Sequence, residues 1–472
     1  MSFGSFGSST GFGQQQNNSG GFGASTSTFG ASNNNASGGF SFGGGGGNTG
    51  GFGATNNQPQ QQGGFGGGGF GGNTTTFGQP AQPQQSGGMF GGGAAGGGGL
   101  TNPNNDFEIP RDQNSAQDSY SCLSWTPMQN SNLMICGSWD NKLRCYNVQT
   151  SGMQIKADLQ AFIDHTAPVL DCCFKHDGTG CFSVGCSNTV KYWQFAASSG
   201  QQQAQDVGRH DAPIKCVRWI KENNLLATAG WDNKLCYWDL RSPQPTLTLQ
   251  LPGRADCMDI KMPYAVVGTG GSEQDRQVLI YNLQANPNQP ERVLNQLGSS
   301  NSVNTANTKP LKKQYRSIAI FPDVAGFAIS SIEGRCSIQY FAANRIASNF
   351  AFKCHRDKTN KLIYPVNSLA FHNQWGTFAT AGGDGMWNFW DKDSKQRLKA
   401  STNAVTYQGQ QEPVAVTCSG FNSNGDLFAY GISYDWGKGA SFNRPNSSSL
   451  YIHNTPEAEI KPKKSSSSNR RY

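Results

Sequence analysis

The sequence predicts an all-β fold, a seven-bladed WD-repeat β-propeller preceded by a disordered segment rich in glycine and Phe-Gly dipeptides. A glycine-flanked tight turn that carries Asp, followed by a strand with alternating apolar and polar residues, recurs with some sequence variation at residues 137–146, 230–239 and 382–391. His210 lies upstream of the Trp238-Asp239 pair, as in a His…Trp-Asp signature. Repeats of this kind, spaced by roughly 40–50 residues, form four-stranded blades around a central channel.

The blades are expected one after another through residues 106–460, a length that suits seven blades because each packs only on its neighbours. Each blade contains short β-prone runs bounded by Gly, Asn, Asp and Pro. In chain order these runs are 133–136 and 143–146 in blade one, 168–174 and 190–193 in blade two, and the regular third copy of the repeat in blade three. They continue with 264–267 and 278–281 in blade four, 317–321 and 334–338 in blade five, 367–371 before Trp390-Asp391 in blade six, and 427–430 and 450–452 in blade seven. The corresponding blades cover about 118–160, 165–205, 210–251, 255–297, 315–352, 364–401 and 413–455.

The signature residues of a blade have a structural role, because a loop His, a strand Ser or Thr, the turn Asp and the strand Trp hydrogen-bond in series. The third blade has the full set, the second has Ser187 in place of Asp, and the sixth has Thr380 and Trp390 without an aligned histidine. Blades four, five and seven have largely lost the set. The residues interpreted as this structural signature are His165, His210, Thr228, Asp232, Trp238 and Asp384.

No catalytic or cofactor motif accompanies these repeats. The six histidines have no metal-ligand spacing, and the sequence contains no phosphate-binding loop and no nucleophile elbow. We therefore expect a binding protein that is not an enzyme and has no metal or cofactor.

Residues 1–105 differ in composition from the rest of the chain. The first 100 residues contain 36 of the 61 glycines, 12 phenylalanines and no charged residue, so they cannot bury enough apolar surface to fold. Eleven Phe-Gly dipeptides are spaced by small polar residues. This pattern resembles the barrier segments of FG nucleoporins, which bind transport receptors through many weak contacts. A low-complexity linker or a self-associating tract remains an alternative.

The net charge of +7 is unevenly distributed. Residues 461–472, a predicted disordered tail, contain five basic residues and no acid, which leaves about +2 for residues 101–460. A nearly neutral propeller does not bind polyanions through its bulk charge, so direct RNA contact would need a local patch or the tail. The tail is equally consistent with a nuclear-import signal or a solvated terminus.

The thirteen cysteines are odd in number and form no Cys-x-x-Cys pair, which favours reduced core thiols in a nuclear or cytosolic protein. No run of eighteen apolar residues occurs, so no membrane insertion is expected.

Several short stretches of the sequence, by their residues, order and spacing, resemble those of the nuclear-pore-associated messenger-RNA export factors, a family of eukaryotic WD-repeat propellers. The resemblance covers nearly all of residues 106–460. Its most specific parts are the Phe-Lys-Cys-His-Arg phrase at 352–356 and the Ser-Tyr-Asp-Trp-Gly-Lys-Gly phrase at 433–439. The other phrases are at 168–171, 210–213, 249–252, 331–335 and 389–393.

The resemblance implies a docking surface for a GLEBS segment, a short acidic and hydrophobic hairpin of an FG nucleoporin. Basic side chains would pair with carboxylates of the partner, and two aromatic rings would hold an apolar anchor. The family generally has Arg and then Lys where this chain has Lys395 and Arg397, which keeps the charge and moves the bidentate group. The residues implied for nucleoporin binding are Arg335, Phe352, Trp390, Asp391, Lys392, Lys395 and Arg397.

The expected role is an adaptor that brings messenger ribonucleoprotein to the nuclear pore, with a location in the nucleus at the pore or nuclear rim and shuttling to the cytoplasm. One alternative is a mitotic-checkpoint propeller that binds related segments of checkpoint kinases. Another is a cullin-linked ubiquitin-ligase substrate receptor, because Trp238-Asp239-Leu240-Arg241 resembles the Trp-Asp-x-Arg box.

Overall fold

A computed structural model of the chain describes residues 100–463, apart from 130, 153, 196–199, 296–305, 409 and 445–446. The Phe-Gly segment up to residue 99 and the tail from residue 464 lie outside the described residues, and so does the disorder predicted for them. Within the described residues, seven sheets of four or five strands follow one another along the chain and confirm the predicted all-β, seven-bladed propeller.

The first four blades use the strands that the repeats indicate. A short strand, β1 (Phe107–Glu108), precedes them. Blade one contains β2 (Tyr120–Trp125), β3 (Leu133–Ser138), β4 (Lys142–Ser151) and β5 (Gln154–Asp164). Blade two contains β6 (Val169–Phe174), β7 (Gly180–Gly185), β8 (Thr189–Gln194) and β10 (Gln205–Arg209), while the intervening β9 (Gly200–Gln202) pairs in parallel with β5. Blade three contains β11 (Ile214–Ile220), β12 (Leu225–Gly230), β13 (Lys234–Asp239) and β14 (Pro245–Gln250). Blade four contains β15 (Ala255–Lys261), β16 (Tyr264–Thr269), β17 (Val278–Asn282) and β18 (Arg292–Leu294).

The last three blades include an inserted hairpin, and blade seven takes its outer strand from the start of the propeller. Blade five contains β19 (Tyr315–Ile320), β20 (Gly326–Ser331), β21 (Arg335–Tyr340) and β22 (Phe350–Lys353), followed by a separate hairpin of β23 (Arg356–Asp357) and β24 (Leu362–Ile363). Blade six contains β25 (Val366–Phe371), β26 (Phe378–Gly382), β27 (Trp387–Asp391) and β28 (Gln396–Ala400). Blade seven contains β29 (Val416–Phe421), β30 (Leu427–Ile432), β31 (Ser449–Asn454) and, as its outer strand, β1. Short 3-10 helices cover Ala343–Ser348 and Ala440–Phe442, and one α-helix, α1, covers Glu457–Ile460.

The hydrophobic core lies between neighbouring blades. Strands β7, β20 and β30 are buried at all six positions, because both faces of each strand are covered by other blades. One hydrophobic cluster joins Leu235 of blade three to Val267 of blade four, and another joins Val184 of blade two to Trp238 of blade three. Apolar burial between blades therefore stabilises the ring.

The recurring Asp forms the tight turn between the second and third strands of a blade. In blade three the backbone N–H of Lys234 donates to Asp232 Oδ1 (3.1 Å), and the intervening Asn233 has a φ of +61°. The equivalent positions are Asn141 (φ +69°) in blade one and Gly385 (φ +69°) in blade six. Asn and Gly tolerate this left-handed conformation, which explains why the repeat uses them here.

Blade three has the buried hydrogen-bond network that its signature predicts. His210 Nδ1 lies 2.9 Å from Asp232 Oδ2, and His210 Nε2 lies 2.7 Å from Thr228 Oγ1. Trp238 Nε1 donates to the same Oγ1 at 2.7 Å. The four side chains thus satisfy one another and hold the turn against the strands.

Blade two has only part of this network. His165 Nε2 hydrogen-bonds with Ser183 Oγ at 2.8 Å, but Nδ1 has no partner among the described residues, since Ser187 occupies the position of the Asp. Burial lowers the pKa of His165 to about 4. Trp193 Nε1 donates to Gln202 Oε1 (2.7 Å), so the indole is held by the end of β9 and not by Ser183.

The ring closes through both ends of the propeller. The repeat pattern predicts residues 413–455 for blade seven, but the outer strand of this blade is β1, with Phe107 opposite Ile452. Next to β1, the buried Asp106 accepts a hydrogen bond from the Tyr430 hydroxyl (2.6 Å). A single hydrogen-bonded sheet made from two distant parts of the chain prevents the first and last blades from separating.

A half-buried histidine joins β1, blade seven and α1. His453 Nδ1 lies 2.6 Å from Asp106 Oδ1, and its Nε2 lies 2.9 Å from Glu459 Oε2. Glu459 also pairs with Lys399 at 2.7 Å. Burial lowers the pKa of His453, but the hydrogen bonds and charges of Asp106 and Glu459 outweigh burial, so the pKa lies above its ordinary value of 6.5.

We expect the His453→Gln substitution to cost more stability at acidic pH than at alkaline pH. Because folding raises the pKa of His453, its ionic contribution is complete below about pH 6.5 and is lost as the pH rises through the higher folded-state pKa. Denaturant unfolding of the full chain and the variant from about pH 5.5 to 8.5 measures the difference between their free energies of unfolding. A difference that does not change with pH would contradict this account.

The comparison variant is His372→Gln, since burial lowers the pKa of His372. The free energy of unfolding that the titration of His372 contributes is therefore present above the unfolded-state pKa of His372 and is lost as the pH falls. The pH trend of this variant should have the opposite sign to that of His453→Gln.

All thirteen cysteines are free thiols, and twelve of them are buried. Burial raises the pKa of the Cys236 thiol to about 11, so this side chain packs as an uncharged core group. In the part of the chain that the structure describes, the helices are too short to cross a bilayer.

Candidate functional site

Blade six contains a complete signature network, and its histidine is His355. His355 Nδ1 lies 2.7 Å from Asp384 Oδ1, and His355 Nε2 lies 2.8 Å from Thr380 Oγ1. Trp390 Nε1 donates to Thr380 Oγ1 at 2.9 Å. The expectation that blade six lacks a histidine is therefore wrong. The β23–β24 hairpin lengthens the segment between His355 and its Asp, so the normal spacing of the repeat is lost.

This network fixes one side of a surface where blade five meets blade six, called here the docking seam. The seam consists of β22 of blade five and of β27, β28 and their connecting turn in blade six. Phe352 on β22 and Trp390 on β27 are both half-buried, and their ring centroids are 4.8 Å apart. Arg335 begins β21 and lies opposite Lys353 at the end of β22. The predicted aromatic residues are thus brought together.

Two of the predicted cations are exposed on the seam. Lys395 has a φ of +55°, and its Nζ lies 4.6 Å from the ring centroid of Phe350. Arg397 lies opposite Trp390 in the β27–β28 pair, and its Nη1 lies 3.4 Å from Asn388 Oδ1. Both charges are therefore available to a partner beside the aromatic pair.

The other two residues predicted from the β27–β28 turn are buried in the turn itself. Asp391 accepts the backbone N–H of Asp393 (2.9 Å) and the hydroxyl of Ser394 (2.6 Å). Lys392 is only 7% exposed, with its Nζ 2.7 Å from Asp393 and 5.2 Å from the ring centroid of Phe321. Their contacts set the shape of the turn, and the structure leaves little of either side chain for a partner.

A groove of about 630 Å³ adjoins the aromatic pair and contains cations beyond those that the family resemblance implies. Trp390 and Arg397 line it together with the segment that follows β22. The Nη2 of Arg356 donates to the carbonyl of Glu333 at 2.7 Å, which ties this segment to blade five. The density of basic residues between 353 and 361 was the available sequence signal. The additional cations are Lys353, Arg356, Lys358 and Lys361.

An aromatic pair with cations around it suits a peptide that is both acidic and apolar. Burial of an apolar side chain against two rings gives affinity, and the surrounding charges orient the peptide. Among the described residues, no group of His, Cys, Asp and Glu is arranged to hold a metal ion.

Comparisons with known proteins agree with the blade structure. The model of the family described as WD domain, G-beta repeat matches residues 157–194 and 202–239. Each match begins on the outer strand of one blade and continues through the three inner strands of the next. The sequence repeat is thus offset by one strand from the structural blade.

Full-length relatives match most of the chain. Protein Rae1 of Drosophila melanogaster is 36% identical over 373 residues, which are 77% of this chain and 97% of that protein. The mRNA export factor of Xenopus tropicalis is 39% identical over 376 residues, 77% of this chain and 92% of the relative. The Poly(A)+ RNA export protein of Schizosaccharomyces pombe is 39% identical over 355 residues, 74% of this chain and 90% of the relative.

Proposed function

The chain belongs to the Rae1/mRNA export factor family of WD-repeat propellers, and from this premise we propose that it is a non-enzymatic adaptor in messenger-RNA export. In this role the docking seam binds a GLEBS-type segment of an FG nucleoporin. The propeller carries messenger ribonucleoprotein to the nuclear pore by tethering, with no chemical step.

The observation that supports this proposal is the position of the half-buried Phe352–Trp390 pair beside exposed Lys395 and Arg397. The 630 Å³ groove extends the same surface with further cations. Anchor residues of protein interfaces are typically aromatic, and charges at the edge of an interface set orientation and association rate. An acidic hairpin with an apolar side chain at its tip fits both the aromatic pair and the cations around it.

The Phe-Gly segment adds a second proposed contact. Eleven Phe-Gly dipeptides on one chain would bind transport receptors weakly and many times, which raises the time spent near the pore. Together with the seam, this favours a location at the nuclear pore.

Calorimetric titration of the full chain with a GLEBS peptide tests the docking proposal. We expect a single site with micromolar or tighter affinity, and at least about tenfold weaker binding for the same peptide with its acidic residues changed to amides. Equal affinity for the two peptides, or no binding of the acidic one, would reject docking at this seam.

A further inference from the structure

We propose that the acidic and apolar segment bound at the docking seam adds one extended arm, as a fifth strand, to the outer edge of β22 in blade five. This inference rests on the proposed function and assigns the partner's main chain a place. Strand addition holds a partner by main-chain hydrogen bonds, while the surface beside the strand selects alternate side chains. The seam supplies both parts, because β22 ends its sheet and the aromatic pair lies beside it.

The outer edge of β22 carries unpaired main-chain groups. In the part of the chain that the structure describes, the strand that pairs with β22 is β21. Cys354, just after β22, donates its backbone N–H to the Gly334 carbonyl at 3.1 Å. Hydrogen-bonded and non-hydrogen-bonded pairs alternate along an antiparallel ladder, so Phe352 bonds to β21 while Ala351 and Lys353 direct their N–H and C=O groups outward. These groups are available to another strand.

The edge of β22 lacks two features that commonly protect an edge strand. Proteins protect such edges with bulges, prolines and charged side chains. The pairs formed by the third and fourth strands of blades two, three and six each contain a register shift. The β21–β22 pair is in regular register from Arg335–Lys353 to Ile338–Phe350, and the strand Phe-Ala-Phe-Lys contains no proline. β22 is therefore a regular template for an added strand.

Blade one shows that this propeller accepts an added strand. Its outer strand, β5, pairs in parallel with β9, which lies between β8 and β10 of blade two. The register aligns Ala161 with Gly200, and the sheet of blade one consequently has five strands. A segment from outside the blade thus occupies the outer edge of its fourth strand. An extended arm of a partner would occupy the same position on β22.

The side chains beside β22 favour an arm with an apolar residue and an acidic residue two positions apart. Phe350 and Phe352 pack towards Trp390 of blade six, whereas Ala351 packs towards blade four. Residues opposite one another in a sheet share a face, as do residues two apart on one strand. An apolar side chain opposite Phe352 would extend the aromatic pair. An acidic side chain opposite Phe350 would meet Lys395, whose Nζ is 4.6 Å from the centroid of that ring.

Calorimetric titration of the full chain and its Ala351→Pro variant with the GLEBS peptide tests strand addition. Proline at this position removes an outward donor, and its ring occupies the side where the arm would pair, while the bonds to β21 remain. Binding should weaken by roughly 5- to 50-fold. The matched control is Thr248→Pro on β14, whose N–H also points outward because Leu251 donates to the Asn233 carbonyl at 2.8 Å. It should bind the peptide as the parent does.

Two N-methylated peptides test the same point with the protein unchanged. In an added strand, alternate N–H groups point to β22 and the others point to solvent. Of two GLEBS peptides methylated on alternate amide nitrogens of the arm, one should lose roughly tenfold or more in affinity and the other should bind like the unmodified peptide. Equal affinities of the two methylated peptides, whether retained or lost, would overturn strand addition, because docking through side chains alone does not distinguish them.

These measurements separate strand addition from the docking proposal on which it rests. If the unmodified peptide binds the parent chain and a folded Ala351→Pro variant equally well, strand addition is rejected and docking at the seam stands. If the unmodified peptide does not bind the parent chain, the docking proposal is rejected and strand addition falls with it. Denaturant unfolding of both proline variants checks that they are folded.

Discussion

The double substitution Lys395→Glu/Arg397→Glu is expected to weaken binding of the GLEBS peptide by roughly 30- to 150-fold. Both side chains are exposed, and they lie beside the Phe352–Trp390 pair, so reversal replaces two attractions with two repulsions. Each charge reversal is expected to cost about 1–1.5 kcal/mol of binding free energy, and the total of about 2–3 kcal/mol corresponds to a roughly 30- to 150-fold change in Kd. Calorimetric titration at two salt concentrations measures it, and the loss should shrink as salt rises.

The choice of Lys395 and Arg397 depends on the burial of their neighbour. Lys392 belongs to the same basic run, but its ammonium is 2.7 Å from Asp393 and the side chain is 7% exposed, so a glutamate there would disturb the turn. The matched control is Lys156→Glu/Lys221→Glu, which makes the same change of charge on blades one and three at side chains 69% and 67% exposed. If the control loses as much affinity as the seam variant, binding follows the overall charge and the seam is not the site.

We expect the His355→Ala substitution to destabilise the propeller by about 2–4 kcal/mol. It leaves Asp384 without its partner at 2.7 Å and removes a hydrogen bond from Thr380, and buried polar groups that lose partners are costly. Trp390 depends on the same Thr380 hydroxyl, so binding of the GLEBS peptide should also weaken. Denaturant unfolding and peptide titration measure the two effects.

The control for this substitution is His176→Ala. His176 is exposed and accepts a hydrogen bond from Trp219 Nε1 at 2.9 Å, so its loss should cost less than about 1 kcal/mol. Equal unfolding midpoints for the two variants would show that the network of blade six contributes no more than a surface contact.

The docking seam was only partly predictable from the sequence. Phe352 and Trp390 were selected by family resemblance, and the structure brings their rings together although 38 residues separate them. Asp391 and Lys392 looked equivalent to their neighbours in the sequence, yet their side chains turn inward and bind within the turn. Alternation along a strand predicts which face a residue occupies, but it does not predict which side chain a turn uses to satisfy its own backbone.

The sequence by itself determined the seven-bladed fold, because each blade is built from local strands and tight turns whose Asp-Asn and Gly signals lie within a few residues of one another. The tertiary structure decided what depends on long-range contact. It placed β1 on blade seven, completed blade six with His355 across an inserted hairpin, and set Lys395 of blade six beside Phe350 of blade five. Closing the ring brings together residues that lie up to about 350 positions apart, and no local pattern records such pairs.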